Sequence, residues 1–298
     1  MEPTKTYLVA TDFSTPSRYA VERAAQLAEA DQARCVVINA IALDTLDSLA
    51  ALLGDGIAAT KQKLEQEARV KMTQMVSQCR GERALDISGE VLSGSPLTCI
   101  PAQAEALNAD LLVLGSRGES LLQHTLLGST ASRLLRRSLK LPVLVVKQAP
   151  QRAYQRIMIA TDLSPATIGS IQSARRIAPK AEIVLLHLLD LPFASKLSYA
   201  DVEEKDIQFY IQIEREKCLA QLHALAEFAG LTAADYYTVV VHGHSPALIV
   251  EQEQEQHCDL IVIGKHCTLL AEELLLGNTI RHVLAESLVD VMVTSGNT

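Results

Sequence analysis

The segment YLVATDFSTPS that begins at Tyr7 returns as IMIATDLSPAT at Ile157, so that Asp12 and Asp162 stand 150 residues apart. Near the same displacement Ser95-Pro96 meets Ser245-Pro246, LLVLGSRG at residue 111 meets LIVIGKHC at 260, and LLGST at 126 meets LLGNT at 275. Four matches in one order mark a duplication, and a duplicated chain is constrained to fold as two copies of one plan. The copies are placed at residues 1–148 and 154–298, on either side of the polar, proline-containing stretch Gln148-Ala149-Pro150-Gln151-Arg152.

Each copy alternates short apolar runs with helical patterns. Tyr7 to Ala10 and Ile157 to Ala160 come first, the former followed by a helical stretch from Ser17 to Ala30. Cys35 to Ile41 and Ile183 to Leu189 form second runs, followed by long helices near Ile57 to Gln78 and Ile207 to Ala229. Third runs (Ala84 to Leu92, Tyr236 to Val241) lead to helices at Ser95-Pro96 and Ser245-Pro246, where serine suits the cap and proline the first turn. LLVLG or LIVIG is the fourth run, and helices from Ser129 or Asn278 lead to the fifth, at 143–146 or 291–293. Wholly apolar strands alternating with helices imply a parallel sheet covered on both faces. The expected fold class is α/β, with two tandem doubly wound, five-stranded, Rossmann-like domains.

Composition narrows the functional classes. The chain is 48% hydrophobic with a net charge of −8, and no basic stripe interleaved with aromatics suggests nucleic-acid binding. Residues 1–150 balance 16 basic against 16 acidic side chains, while 151–298 hold 11 against 19. The six cysteines are scattered and read as reduced, buried, apolar groups. The start MEPTKTYLVATDFS lacks the basic head and apolar core of a signal peptide, and no run approaches the length of a membrane span. A soluble, cytoplasmic protein is the expectation.

In doubly wound sheets a ligand lies beyond the carboxyl ends of the strands, where strand order switches. The residues just past those ends are Thr11 and Asp12, then Ala40 and Ile41, then Gly115-Ser116-Arg117-Gly118, and after nine more residues Gly128-Ser129-Thr130. Glycines at 115 and 118 permit close approach and unusual dihedrals, and free N–H groups at the helix start favour an anion such as phosphate. Of the arginines at 117, 133, 136 and 137, Arg117 is the one placed to touch it. Two bland readings compete: Asp12 organises the turn before the helix, and Ser129 merely caps a helix.

Gly115, Gly118, Gly128 and Ser129 satisfy the form G-x2-G-x9-G-S/T. On these residues the chain resembles the universal stress protein family, whose fold is of the adenine nucleotide alpha hydrolase type, and its tandem two-domain members. The resemblance implies ATP, with Mg²⁺, in the first repeat. Thr11, Asp12 and Ala40 would face adenosine; Gly115, Arg117, Gly118, Gly128, Ser129 and Thr130 would face the phosphates. It also implies an internal pseudo-dimer of the two repeats through their fifth strands. Association of two chains stays open.

The second copy departs from the form: Gly264 and Gly277 remain, Cys267 replaces the second glycine, and Asn278-Thr279 replaces Ser-Thr. A Cβ at 267 obstructs a phosphate turn, and Glu272 and Glu273 add negative charge against Lys265 and Arg281. Thr161, Asp162, Leu188, Gly264, Gly277, Asn278 and Thr279 therefore make a candidate site for another or smaller ligand. Seven of eight histidines lie in this half, and His187, His242, His244 and His266 with Cys267 raise zinc as an alternative to ordinary hydrogen-bonding roles. His187 also fits the family's Leu-Leu-His pattern. Alternating Glu251, Glu253 and Glu255 read as a solvated helix surface. The functional expectation is a stress-response sensor or interaction module that holds ATP or a related adenine nucleotide; the rivals are a slow ATPase, for which no G-x4-G-K-[ST] loop is present, and an interaction or ligand-binding protein with a non-nucleotide ligand or metal in the second repeat.

Overall fold

Apolar runs such as Tyr7 to Val9 have no polar face to give to water, and in the computed structural model they occupy sheet interiors, fully buried. The structure describes residues 4–42, 56–81, 84–117, 127–137, 139–191, 203–265 and 276–295. The chain divides into two units, Met1–Ala153 and Tyr154–Thr298.

In the first unit β1 (Thr6–Ala10) leads through α1 (Thr15–Asp31) to β2 (Arg34–Ile41), then α2 (Gly56–Arg80) and β3 (Ile87–Ser93). There follow α3 (Pro96–Ala106), β4 (Leu111–Gly115), α4 (Ser129–Leu135) and β5 (Val143–Val146). The strands lie in the order β3-β2-β1-β4-β5, with the described pairs parallel. The second unit repeats the plan as β6 (Arg156–Thr161), α5 (Ala166–Ile177), β7 (Glu182–Leu189), α6 (Glu204–Phe228) and β8 (Tyr236–His242). It ends with α7 (Ala247–Glu255), β9 (Leu260–Lys265), α8 (Asn278–Glu286) and β10 (Asp290–Ser295), and its strand order is β8-β7-β6-β9-β10. Both units are doubly wound α/β, and in each the order reverses beside the first strand.

Local chemistry sets the ends of the elements. Ser14 caps α1 by accepting from the Ser17 N–H, with Pro16 in the first turn, and Gln32 stops the helix in the left-handed region at φ 51°. Asp110 accepts from the Thr6 N–H at 2.9 Å at the base of β1; in the second unit Asp259 accepts from the Arg156 N–H at 3.2 Å and the Gln155 N–H at 2.8 Å. Ser95 holds the cap position of α3 with extended backbone but makes no side-chain cap bond, and α7 begins after Pro246. The solvated-surface reading of residues 251–255 holds for Glu251 and Glu255 and fails for Glu253, which is 3% exposed beside buried Gln252. An alternating pattern has no common face on a helix, and the 3.6-residue period puts Glu253 on the inner face with Ile249.

Cys35, Cys218 and Cys258 are buried, while Cys79 and Cys99 are half-buried. Burial, with Cys79 and Asp86 nearby, pushes the Cys35 thiol up to about 12; burial does the same for Cys258, against the opposing pull of Arg156. Both thiols therefore stay protonated and unreactive at neutral pH. In the folded protein at pH 8, a maleimide should label Cys99 and Cys79 well before Cys35 and Cys258, as read by peptide mass spectrometry. The Tyr154 hydroxyl donates to buried Asp290 at 2.6 Å. Tyr154→Phe should cost about 2 kcal/mol of stability in chemical denaturation, the scale of a hydrogen bond lost from a buried charged acceptor.

Candidate functional site

The register of the first sheet carries the predicted residues to one edge. Ala10 pairs with Ile38 on one side and with Leu114 on the other, so Thr11 emerges between the ends of β2 and β4. Ala40 lies near the end of β2, and Gly115, the last residue of β4, pairs with Val146. Thr11 is buried, Asp12 and Ala40 are half-buried, and Arg117 is exposed, with no bonding partner among the described residues. Gly118 lies outside the described residues.

The loop after β1 is built by its own side chains. Thr11 Oγ1 accepts from the Phe13 N–H at 3.0 Å and shares a hydrogen bond with Ser17 Oγ at 2.9 Å. Asp12 Oδ1 accepts from the Ser14 N–H at 3.1 Å and from Ser14 Oγ at 2.5 Å, closing an Asx turn. Asp12 thus organises the turn before α1, and it stays half-buried at the end of β1. Phe13 sits at φ +65°, a left-handed conformation that a bulky side chain adopts only when its surroundings impose it.

Gly115 serves close approach: a Cβ there would stand 2.9 Å from the Pro16 carbonyl carbon and oxygen and from Ser17 Cα. Beyond it, the Ser116 N–H donates to the Val146 carbonyl at 2.9 Å, and the Gly128 N–H donates to the Ser116 carbonyl at 2.7 Å. The chain that leaves β4 therefore returns to its starting point, bringing Gly128 to the edge where Gly115 and Arg117 lie. Gly128 takes the cap position of α4 with extended backbone, so Ser129 is the first helical residue rather than the cap; Ser129 is exposed and Thr130 half-buried. Arg137 is committed elsewhere, donating to the Leu97 carbonyl at 2.6 Å.

The second unit rebuilds the same loop. Thr161 Oγ1 accepts from the Leu163 N–H at 2.9 Å and bonds Thr167 Oγ1 at 2.5 Å, Asp162 Oδ1 accepts from the Ser164 N–H at 2.9 Å, and Leu163 has φ +67°. Leu188 is half-buried near the end of β7, Gly264 lies on β9, and Gly277 caps α8 ahead of Asn278 and Thr279. A Cβ at Gly277 would meet nothing within 4 Å. His187 Nδ1 bonds the Thr161 carbonyl at 2.9 Å. Among the described residues no three His, Cys, Asp or Glu side chains are grouped to hold a metal; His266, Cys267, Glu272 and Glu273 lie outside them.

Sequence reasoning passed over Asn39, which is buried at the end of β2 and donates from Nδ2 to the Thr11 carbonyl at 2.8 Å. Its neighbour Ala40 was singled out instead. The signal available was a polar residue inside an otherwise apolar run.

The sequence profile of the universal stress protein family matches residues 3–147 and again 153–295. The chain belongs to the universal stress protein family. It carries two universal stress protein domains in tandem. A universal stress protein of Mycobacterium bovis is 28% identical over 225 residues, an alignment that covers 70% of this chain and 64% of that relative, so the chain spans less than two thirds of its length. A universal stress protein of Mycobacterium tuberculosis is 32% identical over 148 residues, which is 49% of this chain and 98% of the relative. The crystal structure of a universal stress protein from Archaeoglobus fulgidus matches with a TM-score of 0.63 and 19% identity, covering 98% of both chains. At that identity the likeness is one of fold. No described helix is long and apolar enough to cross a membrane.

The two glycines of these universal stress protein domains differ in what they do for the fold. Gly115→Ala should cost about 1–3 kcal/mol, because the clash is with backbone that cannot rotate away. Gly277→Ala should stay within about 1 kcal/mol, the cost of a poorer cap in open space. Urea denaturation of the two variants checks the contrast.

Proposed function

We propose that this universal stress protein binds ATP, with Mg²⁺, in its first repeat and acts in the cytoplasm as a stress-response sensor or interaction module. The observation that carries the reading is the hydrogen bond from the Gly128 N–H to the Ser116 carbonyl, which brings the two described ends of the G-x2-G-x9-G-S/T stretch together beside Gly115 at the switch point of the sheet. Thr11, Asp12 and Ala40 would hold the adenosine. Gly115, Arg117, Gly118, Gly128, Ser129 and Thr130 would hold the phosphates, with Arg117 supplying a positive charge that is exposed at the edge. The buried, hydrogen-bonded floor of Thr11 and Ser17 suits a preformed site, which lowers the ordering cost of binding.

In this reading the second repeat's own edge accepts at most a different or smaller ligand. Asp162 supports that ligand, while Cys267 and the acidic pair Glu272 and Glu273 oppose a triphosphate. Binding is favoured over turnover because the loop lacks the lysine of a G-x4-G-K-[ST] motif.

Calorimetric titration of ATP with Mg²⁺ into the wild type, Gly128→Arg and Gly277→Arg tests the assignment. Binding should survive Gly277→Arg and disappear in a folded Gly128→Arg protein. The reverse pattern, or no binding to the wild type, would sink the first-repeat reading.

A further inference from the structure

The two strand-one loops share one hydrogen-bond skeleton, and the side chain that fastens each to the neighbouring strand differs. In the second sheet Thr161 pairs with His187, directly after Ala160 with Leu186. In the first sheet Ala10 pairs with Ile38, and the next step along both strands brings Thr11 level with Asn39. Asn39 and His187 therefore occupy one register position, and each bonds the main-chain carbonyl of the threonine opposite, at 2.8 Å and 2.9 Å. A carbonyl only accepts, so His187 carries its proton on Nδ1. Amide and imidazole both offer the N–H required, and neither needs a charge to do so.

That carbonyl begins a strained turn. Directly after it come Asp12 or Asp162, and then Phe13 or Leu163 in the left-handed region at φ +65° and +67°. Such a conformation persists only where the surroundings over-determine it. Asn39 is 7% exposed, and its Oδ1 has no hydrogen-bond partner among the described residues. A buried amide with an unmet oxygen disfavours the fold, and an apolar side chain would avoid that penalty. The bond from Nδ2 to Thr11 is what the amide supplies and an apolar residue does not.

We infer that this position, Asn39 in the first repeat and His187 in the second, holds a positioning residue for the ligand edge. By gripping the Thr11 or Thr161 carbonyl, it locks the left-handed turn and so orients the Asp12 or Asp162 carboxylate before any ligand arrives. What the first lock positions rests on the nucleotide reading above; the lock itself does not.

The full-length variants Asn39→Leu and Asn39→His separate the two. In Asn39→Leu, amide hydrogen exchange at Phe13 and Ser14 should quicken at least about tenfold while the amides of Val36 to Ile38 keep their protection. Affinity for ATP with Mg²⁺ should fall about tenfold as preorganisation is lost. Asn39→His, which installs the second repeat's solution, should return both quantities to within about threefold of wild type, a rescue that a merely space-filling role does not produce. Should Asn39→Leu fail to fold, His187→Leu reads the same effect at Leu163 and Ser164 from a half-buried position. Wild-type exchange at the turn in a folded leucine variant, or a histidine variant that binds and exchanges like leucine, overturns the inference. A wild type that ignores ATP while Asn39→Leu still loosens Phe13 and Ser14 removes the nucleotide reading and leaves the lock standing.

Discussion

The corner where β4 meets α1 in the first repeat is set by an atom that is absent. With no Cβ at Gly115, the backbone of Pro16 and Ser17 comes to within 2.9 Å of where that carbon would stand. This approach lets Ser17 Oγ meet Thr11 Oγ1, and the resulting contact ties the first turn of α1 to the loop it leaves. The loop then presents Asp12 at the same edge as Arg117 and the returning Gly128. Remove the close approach and the helix must lift from the sheet, taking the Ser14 cap and the Asx turn with it. A packing demand thus accounts for one glycine of the loop that the proposed function assigns to phosphate.

Much of this is legible in the sequence. Wholly apolar runs alternating with helical periods imply a covered parallel sheet, and the strand ends follow because Thr11, Gly115 and Gly264 stand where the apolar runs stop. What escaped has physical causes. Asn39 escaped because a single polar residue inside an apolar strand run does not reveal that its side chain bonds the neighbouring loop, a contact set by the sheet register that brings it level with Thr11 as His187 is level with Thr161. The stretch from the strand-one aspartate to this position is two residues longer in the first repeat (Asp12 to Asn39) than in the second (Asp162 to His187), and hydrogen bonding across strands ignores that difference. Glu253 was misread because alternation was weighed where the helical period decides. Ser95 stands in a cap position without making the cap bond, a distinction of side-chain rotamer that composition does not carry.

The duplication also separates what the fold demands from what a ligand demands. Asp110 and Asp259 recur because the first N–H groups of β1 and β6 need acceptors at the base of each sheet. Asp12 and Asp162 recur at the opposite end, each already engaged in its Asx turn, so retention of Asp162 follows from the turn whether or not a ligand is bound there. Ligand specificity has to be read from positions the fold leaves free. Gly277 is one: its backbone is extended, a Cβ would touch nothing, and no packing contact asks for glycine. Position 39/187 is the other kind, where the fold asks only for an N–H donor and the repeats supply different ones. An amide donor sits buried in the repeat with the complete glycine loop, and an imidazole sits half-buried in the repeat without it. Beyond that shared N–H, the amide of Asn39 carries a buried carbonyl oxygen with no hydrogen-bond partner among the described residues, whereas the ring of His187 carries a second nitrogen at a half-buried position. Two edges built on one backbone skeleton therefore offer different chemistry within hydrogen-bonding reach of their threonines, and divergence between the repeats begins in the sheet itself as well as in the loop after its fourth strand.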